Sequence, residues 1–131
     1  MIGRRPGADP RARLLIRAIA AARIALGTAA TLAPGQALRA AGFEPADPGA
    51  RILARLAGVR DIGLGATVLW AGEDAGMLKR AAVAGAAVDA GDSVSFGLAL
   101  IRREGVDRAA LGGSISAAMA SSAGAWAASR L

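Results

Sequence analysis

Five ionisable residues stand where charge is expensive. Arg23, Arg60, Asp61, Asp89 and Asp92 each fall near the middle of a stretch of mostly apolar residues. An isolated charge at the centre of a bilayer costs at least ~2.5 kcal/mol, so such groups face inward and pair. Opposite signs on three different stretches make pairing feasible, and at about 1.5 Å rise per residue all five fall at one depth. Two kinds of chemistry are open to such a group. It can fix helix register through ion pairs, or it can serve as a polar centre for a bound ion or small molecule. Asp89, Asp92, Ser93 and Phe96 follow i, i+3, i+4, i+7 spacing, with Gly85 a turn earlier, which predicts one polar stripe on a helix. Arg23, Gly27 and Thr31 align in the same way. Two guanidiniums against three carboxylates leave the group formally one charge negative.

Other chemistry is excluded or invisible. The chain holds no cysteine and no histidine, which removes disulfides, thiolate nucleophiles, and the commonest general base and metal ligand. No metal site is expected, and the residues designate no cofactor. Ser121 and Ser122 have no histidine to activate them, and no phosphate-binding loop occurs. The sequence therefore leans away from an enzyme. A net charge of +6 suggests nucleic acid at first sight. The basic residues are scattered and stacking aromatics almost absent, so nucleic acid is not expected as a partner.

The elements that must carry the five charges come next. Of the 131 residues, 36 are alanine and only 14 leucine. A soluble core built from so little large apolar surface would struggle against chain entropy. Spanning helices associate instead through close packing of small residues. Four stretches, at about 14–33, 52–71, 81–100 and 109–129, match the ~20 residues a bilayer core requires. The fold class expected is thus all-α, an up-down-up-down bundle of four transmembrane helices forming a single domain over 14–131. Residues 1–13 are expected to form a basic flexible tail, and Gln36–Ala41 a short interfacial helix in the longest loop. Turns are expected at 72–76 and 102–107. With both termini cytoplasmic, seven basic residues flank the inside and five the outside, a mild preference for that topology. Arg17 and Arg55, about 9 Å from the midplane by rise, should snorkel to opposite surfaces.

On the last stretch, small residues recur every fourth position as Gly112, Ser116, Ala120, Gly124 and Ala128, with a second row at Gly113, Ala117, Ser121, Ala125 and Ser129. The first row is expected to be a helix-packing face, within the bundle or towards a second subunit. Trp70 and Trp126 near span ends suit the membrane interface. Expected partners are membrane lipid and a homo-oligomer or larger membrane complex.

The run Arg55, Gly58, Val59, Arg60, Asp61 and Gly65, followed by Asp89 and Asp92, resembles a family of small four-span bacterial membrane proteins of unknown function common in actinobacteria. The overall layout is similar to DoxX-like proteins. The resemblance covers roughly residues 14–128, its Gly-Val-Arg-Asp core is the distinctive part, and it implies a bacterial inner membrane location without supplying an activity. Three functions compete: a structural or accessory membrane subunit with an intramembrane Arg/Asp network, which the sequence favours; a small transporter or a lipid-, quinone- or ion-binding membrane protein; and a soluble alanine-rich helical ligand-binding bundle.

Overall fold

The computed structural model describes residues 9–131, and every regular element among them is a helix. In chain order these are α1 (Pro10–Leu32), α2 (Pro34–Ala40), α3 (Pro48–Ala71), α4 (Ala75–Ile101) and α5 (Asp107–Arg130). Local chemistry sets their ends. Asp9, Asp47 and Asp74 cap α1, α3 and α4, each accepting a hydrogen bond from a backbone N–H two or three residues on. Proline opens α1, α2 and α3, where its missing N–H has no helical partner to lose. Beyond α2, Gly42 takes φ +84° while Phe43 N–H donates to Leu38 C=O and Gly42 N–H to Arg39 C=O. This is a Schellman close, and glycine suits its left-handed position. The same pair of bonds ends α4, yet there Arg103 adopts φ 52°.

These caps shift the expected boundaries outward. Arg11 and Arg13, expected in a flexible tail, lie in the first turn of α1 because Asp9 and Pro10 start the helix there. The rest of that tail, residues 1–8, lies outside the described residues. The short helix expected at 36–41 is α2, begun two residues earlier by Pro34.

The long helices alternate in direction. Between α1 and α3, Gly27 meets Gly58 and Ala20 meets Gly65, one number rising as the other falls. Between α4 and α5, Ser93 meets Ser114 and Ala82 meets Gly124. A tight turn joins α3 to α4, and the Asp9 N–H donates to Arg130 C=O at 3.1 Å, placing the start of α1 beside the end of α5. The α1–α3 seam is the closer kind of contact. A Cβ on Gly58 would sit 2.5 Å from Gly27 O, and one on Gly65 2.7 Å from Ala20 O, so only glycine allows the two backbones to approach this far.

Burial is uneven along the molecule. The core cluster comprises Ala12, Ile16 and Ala20 of α1, Val68 and Ala71 of α3, Leu78 and Ala82 of α4, and Ala127 and Ala128 of α5. All belong to one half, where α1 and α4 begin and α3 and α5 end. In the opposite half of α4, from Ala90 to Ile101, no residue is buried. The chain of side-chain sizes is also inverted relative to a water-soluble core. Eight of the twelve buried apolar residues are alanine, whereas large ones such as Leu14, Leu32, Leu53, Trp70 and Ile101 are exposed. Two helices, α1 and α4, are long and apolar enough to cross a membrane.

The packing face of α5 differs from the expected four-residue row. Gly112 has nothing near the place of its missing side chain and Ser116 is exposed, whereas Gly124 and Ala128 are buried. Four residues turn a helix about 40° past one revolution, so a strict row winds around the axis by about 160° over its length. The row therefore leaves the interface at Gly112 and Ser116, passes through half-buried Ala120, and enters it at Gly124 and Ala128. The contacts actually made run through Gly113, Ser114, Ser121 and Gly124.

Candidate functional site

The five charged residues singled out by their depth meet in a single chain. Arg23 on α1 is its hub. One guanidinium nitrogen, Nη1, donates to Asp61 Oδ1 on α3 at 2.9 Å, while Nη2 donates to Asp89 Oδ2 on α4 at 2.5 Å and to Gly85 C=O at 3.4 Å. Arg60, the neighbour of Asp61, holds Asp92 with two parallel bonds of 3.0 and 2.8 Å and stands 3.5 Å from Asp61. The order is Asp89, Arg23, Asp61, Arg60, Asp92. Every carboxylate has a cation, and Asp61 is shared by both.

Sequence position explains this geometry. Gly27 lies one turn beyond Arg23, and Gly58 one turn before Asp61. Their backbone contact draws α1 against α3 and brings Arg23 within reach of Asp61 on the same pair of faces. The Gly-Val-Arg-Asp run thus combines a contact that needs glycine with two links of the charged chain. On α4 the predicted stripe fans across its neighbours instead of facing one of them. Asp92, Asp89 and Ser93 spread over about 100° of arc at 100° per residue. Asp92 reaches α3 and Asp89 reaches α1. Ser93 turns to α5, donating to Ser114 C=O at 3.1 Å while Ser114 Oγ returns a 3.4 Å bond to Ser93 C=O. Ser93 belongs to the α4–α5 seam, together with Ser121, which donates to Ala86 C=O at 2.9 Å.

The chain is graded in exposure. Side chains of Asp89 and Arg23 retain 9% and 12% of their accessible surface, those of Asp92 and Arg60 32% and 39%. It also marks the boundary between the two halves of the molecule. Towards the alanine core lie Ala20, Val68 and Ala82. On the other side the helix pairs part, and a cleft of about 350 Å³ reaches Arg23, Asp61, Asp89 and Asp92. Phe96 and Gly113 line it and also line a second space of about 580 Å³ that extends to Phe43 and Arg108. Gly113 has a specific part here. A Cβ at that position would fall 2.7 Å from the Phe96 ring, so its absence lets the ring lie flat on α5 between the two spaces. Phe43, carried by the turn after α2, stacks at a tilt on Phe96 with ring centroids 6.2 Å apart.

Arg17 and Arg55 separate as expected from their depth. Arg17 reaches Gly72 C=O and the Glu73 carboxylate at the α3–α4 turn, and Arg13 joins it on Glu73 at 2.5 Å. These arginines, Arg17 first, hold the Glu73 carboxyl below its ordinary range. Arg55 lies at the opposite end, near Arg39 and Arg51. Trp70 is the most exposed of the large apolar residues, and Trp126 stacks under the Arg130 guanidinium at 5.9 Å.

The open cleft and its Phe96 divider are absent from any reading of sequence depth. Depth locates residues along a helix but not the level at which neighbouring helices part. The one usable signal was Phe96, a bulky side chain on the same stripe as Asp89, Asp92 and Ser93. Among the described residues no cluster of carboxylates suited to a metal ion occurs. Neither a protein-family profile, nor a curated protein, nor a solved structure matches the chain.

Proposed function

We propose that the chain is an integral membrane protein whose four long helices span the bilayer up-down-up-down and whose cleft binds a small polar or amphipathic molecule above the charged chain. The membrane part is supported by the alanine-rich interior under a surface of large apolar side chains, an arrangement that water disfavours and lipid permits. Helices of 23 to 27 residues are about 35 to 40 Å long, enough for a ~30 Å hydrocarbon core. The surplus of basic residues near Lys79, Arg80 and Arg130 favours a cytoplasmic location for that end, in a bacterial inner membrane.

The observation that carries the binding reading is the cleft itself. A charged chain serving register alone is best enclosed by helices, whereas here four of its five members border an open space. Ionisable residues inside a membrane that line a cavity mark ligand or ion sites. The test is Asp89→Asn in protein purified in lipid, with bound small molecules identified by mass spectrometry. A species held by the wild type and lost from the variant supports the reading. Reduced stability with unchanged occupancy leaves register as the only role of Asp89.

A second reading, an accessory subunit of a larger complex, is favoured by the outer end of the chain. Arg60 and Asp92 stay about one-third exposed at mid-helix, where contact with lipid is costly and a partner's helix would cover them. Photo-crosslinking from Val59 or Val94, which are exposed beside them, would then capture a partner or a second copy; crosslinks to lipid alone would exclude it.

A further inference from the structure

At the end of the molecule opposite the alanine core, three arginines converge without carboxylate partners. A hollow of about 460 Å³ is lined by Arg39 of α2, Arg51 and Arg55 of α3, and Gln36. Arg51 and Arg55 are one turn apart, so their side chains rise from one face of α3. Arg39 approaches from the last turn of α2. Gly35 lies beside Arg51, whose guanidinium would be in ordinary contact, 3.8 Å, with a Cβ placed there.

Three guanidiniums in one hollow repel one another unless an anion joins them. The nearby acidic side chains do not fill that role. Glu44 accepts from Ala46 N–H at 3.1 Å and Asp47 from Gly49 N–H at 2.9 Å. Among the described residues neither forms an ion pair with the three arginines. Arg51 is partly committed, its Nε donating to Pro45 C=O at 2.5 Å, which fixes the plane of its guanidinium and leaves its outer nitrogens available. Arg39 and Arg55 make no such bond among the described residues. Planar five-donor groups around one hollow match the several oxygens of a phosphate, which can accept from all three arginines at once.

We propose that Arg39, Arg51 and Arg55 form a phosphate-binding site. Its position at the end of α1 and the start of α3 corresponds, in a membrane-spanning chain, to the level of lipid headgroups. The phosphate can therefore come from an anionic phospholipid or from a soluble phosphate, and the shared chemistry is the same.

The test uses the full chain reconstituted in phosphatidylcholine nanodiscs. Inorganic phosphate is titrated in one arm and phosphatidylglycerol is added in the other, with native mass spectrometry and thermal melting as readouts against chloride at equal ionic strength. The variants are Arg39→Gln, Arg55→Gln and the double substitution; Arg51 is left in place because it also holds the Pro45 loop. Each single change should weaken binding about five-fold, the size of one basic residue's attraction to an anionic headgroup. The double change should weaken it about 25-fold. Saturable binding of inorganic phosphate identifies a soluble source, and enrichment of phosphatidylglycerol alone identifies the headgroup. Binding no better than chloride in both arms, or equal binding by the double variant, overturns the proposal. Failure of the chain to enter nanodiscs would count against the membrane reading, and the phosphate arm can then be run in water.

Discussion

At the scale of single residues, Arg23 and Arg60 perform unequal tasks with the same side chain. Arg23 joins three helices through Asp61, Asp89 and the Gly85 carbonyl while nearly enclosed. Removing it strips the buried Asp89 of its cation and leaves Asp61 with Arg60 alone, so Arg23→Gln is expected to cost about 3 to 5 kcal/mol in an unfolding titration. Arg60→Gln, at the more exposed end, is expected to cost less than Arg23→Gln, because it leaves one carboxylate, Asp92, that is only partly enclosed. Equal losses would show that the gradation in burial has no energetic meaning. A second residue stands out for its backbone. Arg103 holds a left-handed conformation in the turn that ends α4, and a side chain there is disfavoured by about 1 kcal/mol relative to glycine. Arg103→Gly should therefore raise the unfolding midpoint, although it removes a charge.

At the scale of elements, the close seam between α1 and α3 positions the charged chain. Gly58→Ala would place a methyl group 2.5 Å from Gly27 O, a backbone atom that cannot move without the helix. The expected cost is about 1 to 3 kcal/mol, with a lengthened distance between spin labels on α1 and α3. Gly63→Ala, on the same helix with nothing within 4 Å, should be neutral or stabilising by up to about 1 kcal/mol from helix propensity. Much of this level was legible beforehand. Apolar stretches of equal length announced four long helices, although Asp9-Pro10 and Asp47-Pro48 start α1 and α3 four residues earlier than those stretches suggest. That five charges would meet followed from counting residues to the centre of each stretch. Which arginine takes which aspartate did not, because the partner depends on azimuth, and Asp89, Asp92 and Ser93 diverge by enough to reach three different helices. The α5 row misled for the same reason: spacing of four is close to a helical turn without equalling it. Gly58 and Gly65 stood out only as motif positions, without a structural part, because a glycine's consequence lies on the helix opposite, which the sequence does not reveal.

At the scale of the whole molecule, the closed half is fastened at its rim by ionic contacts from Arg13 and Arg17 to Glu73. The folded Glu73 carboxyl titrates below its unfolded value. Its contribution to stability is thus present above the ordinary glutamate range near pH ~4.3 and is lost as pH falls through the lower folded value. Thermal melts should show wild type above Glu73→Gln at neutral pH and the two converging in acid. A constant difference would mean that the contact acts by packing and not by charge. Hydrogen exchange should likewise divide the molecule at the charged chain. Amides of α4 before Asp89 are expected to exchange more slowly than those from Ala90 to Ile101, where no side chain is buried.

The one-sided placement of the core has a mechanical consequence. α1 with α3, and α4 with α5, are each joined along much of their length by glycine and serine contacts. Between these two leaves the alanine core fastens one end, and at the other the turn after α2 bridges them by a smaller contact, Phe43 stacking on Phe96 and Gly42 lying against Ala109. The least costly distortion is a rotation of one leaf against the other about the alanine core, with the ion pairs of Arg23 and Arg60 crossing the opening as straps. Such a hinge sets the width of the mouth and the strength of the straps by a single angle. Anything that enters deeply enough to draw Asp89 or Asp92 from its arginine would therefore swing the far ends of α1 and α5 apart.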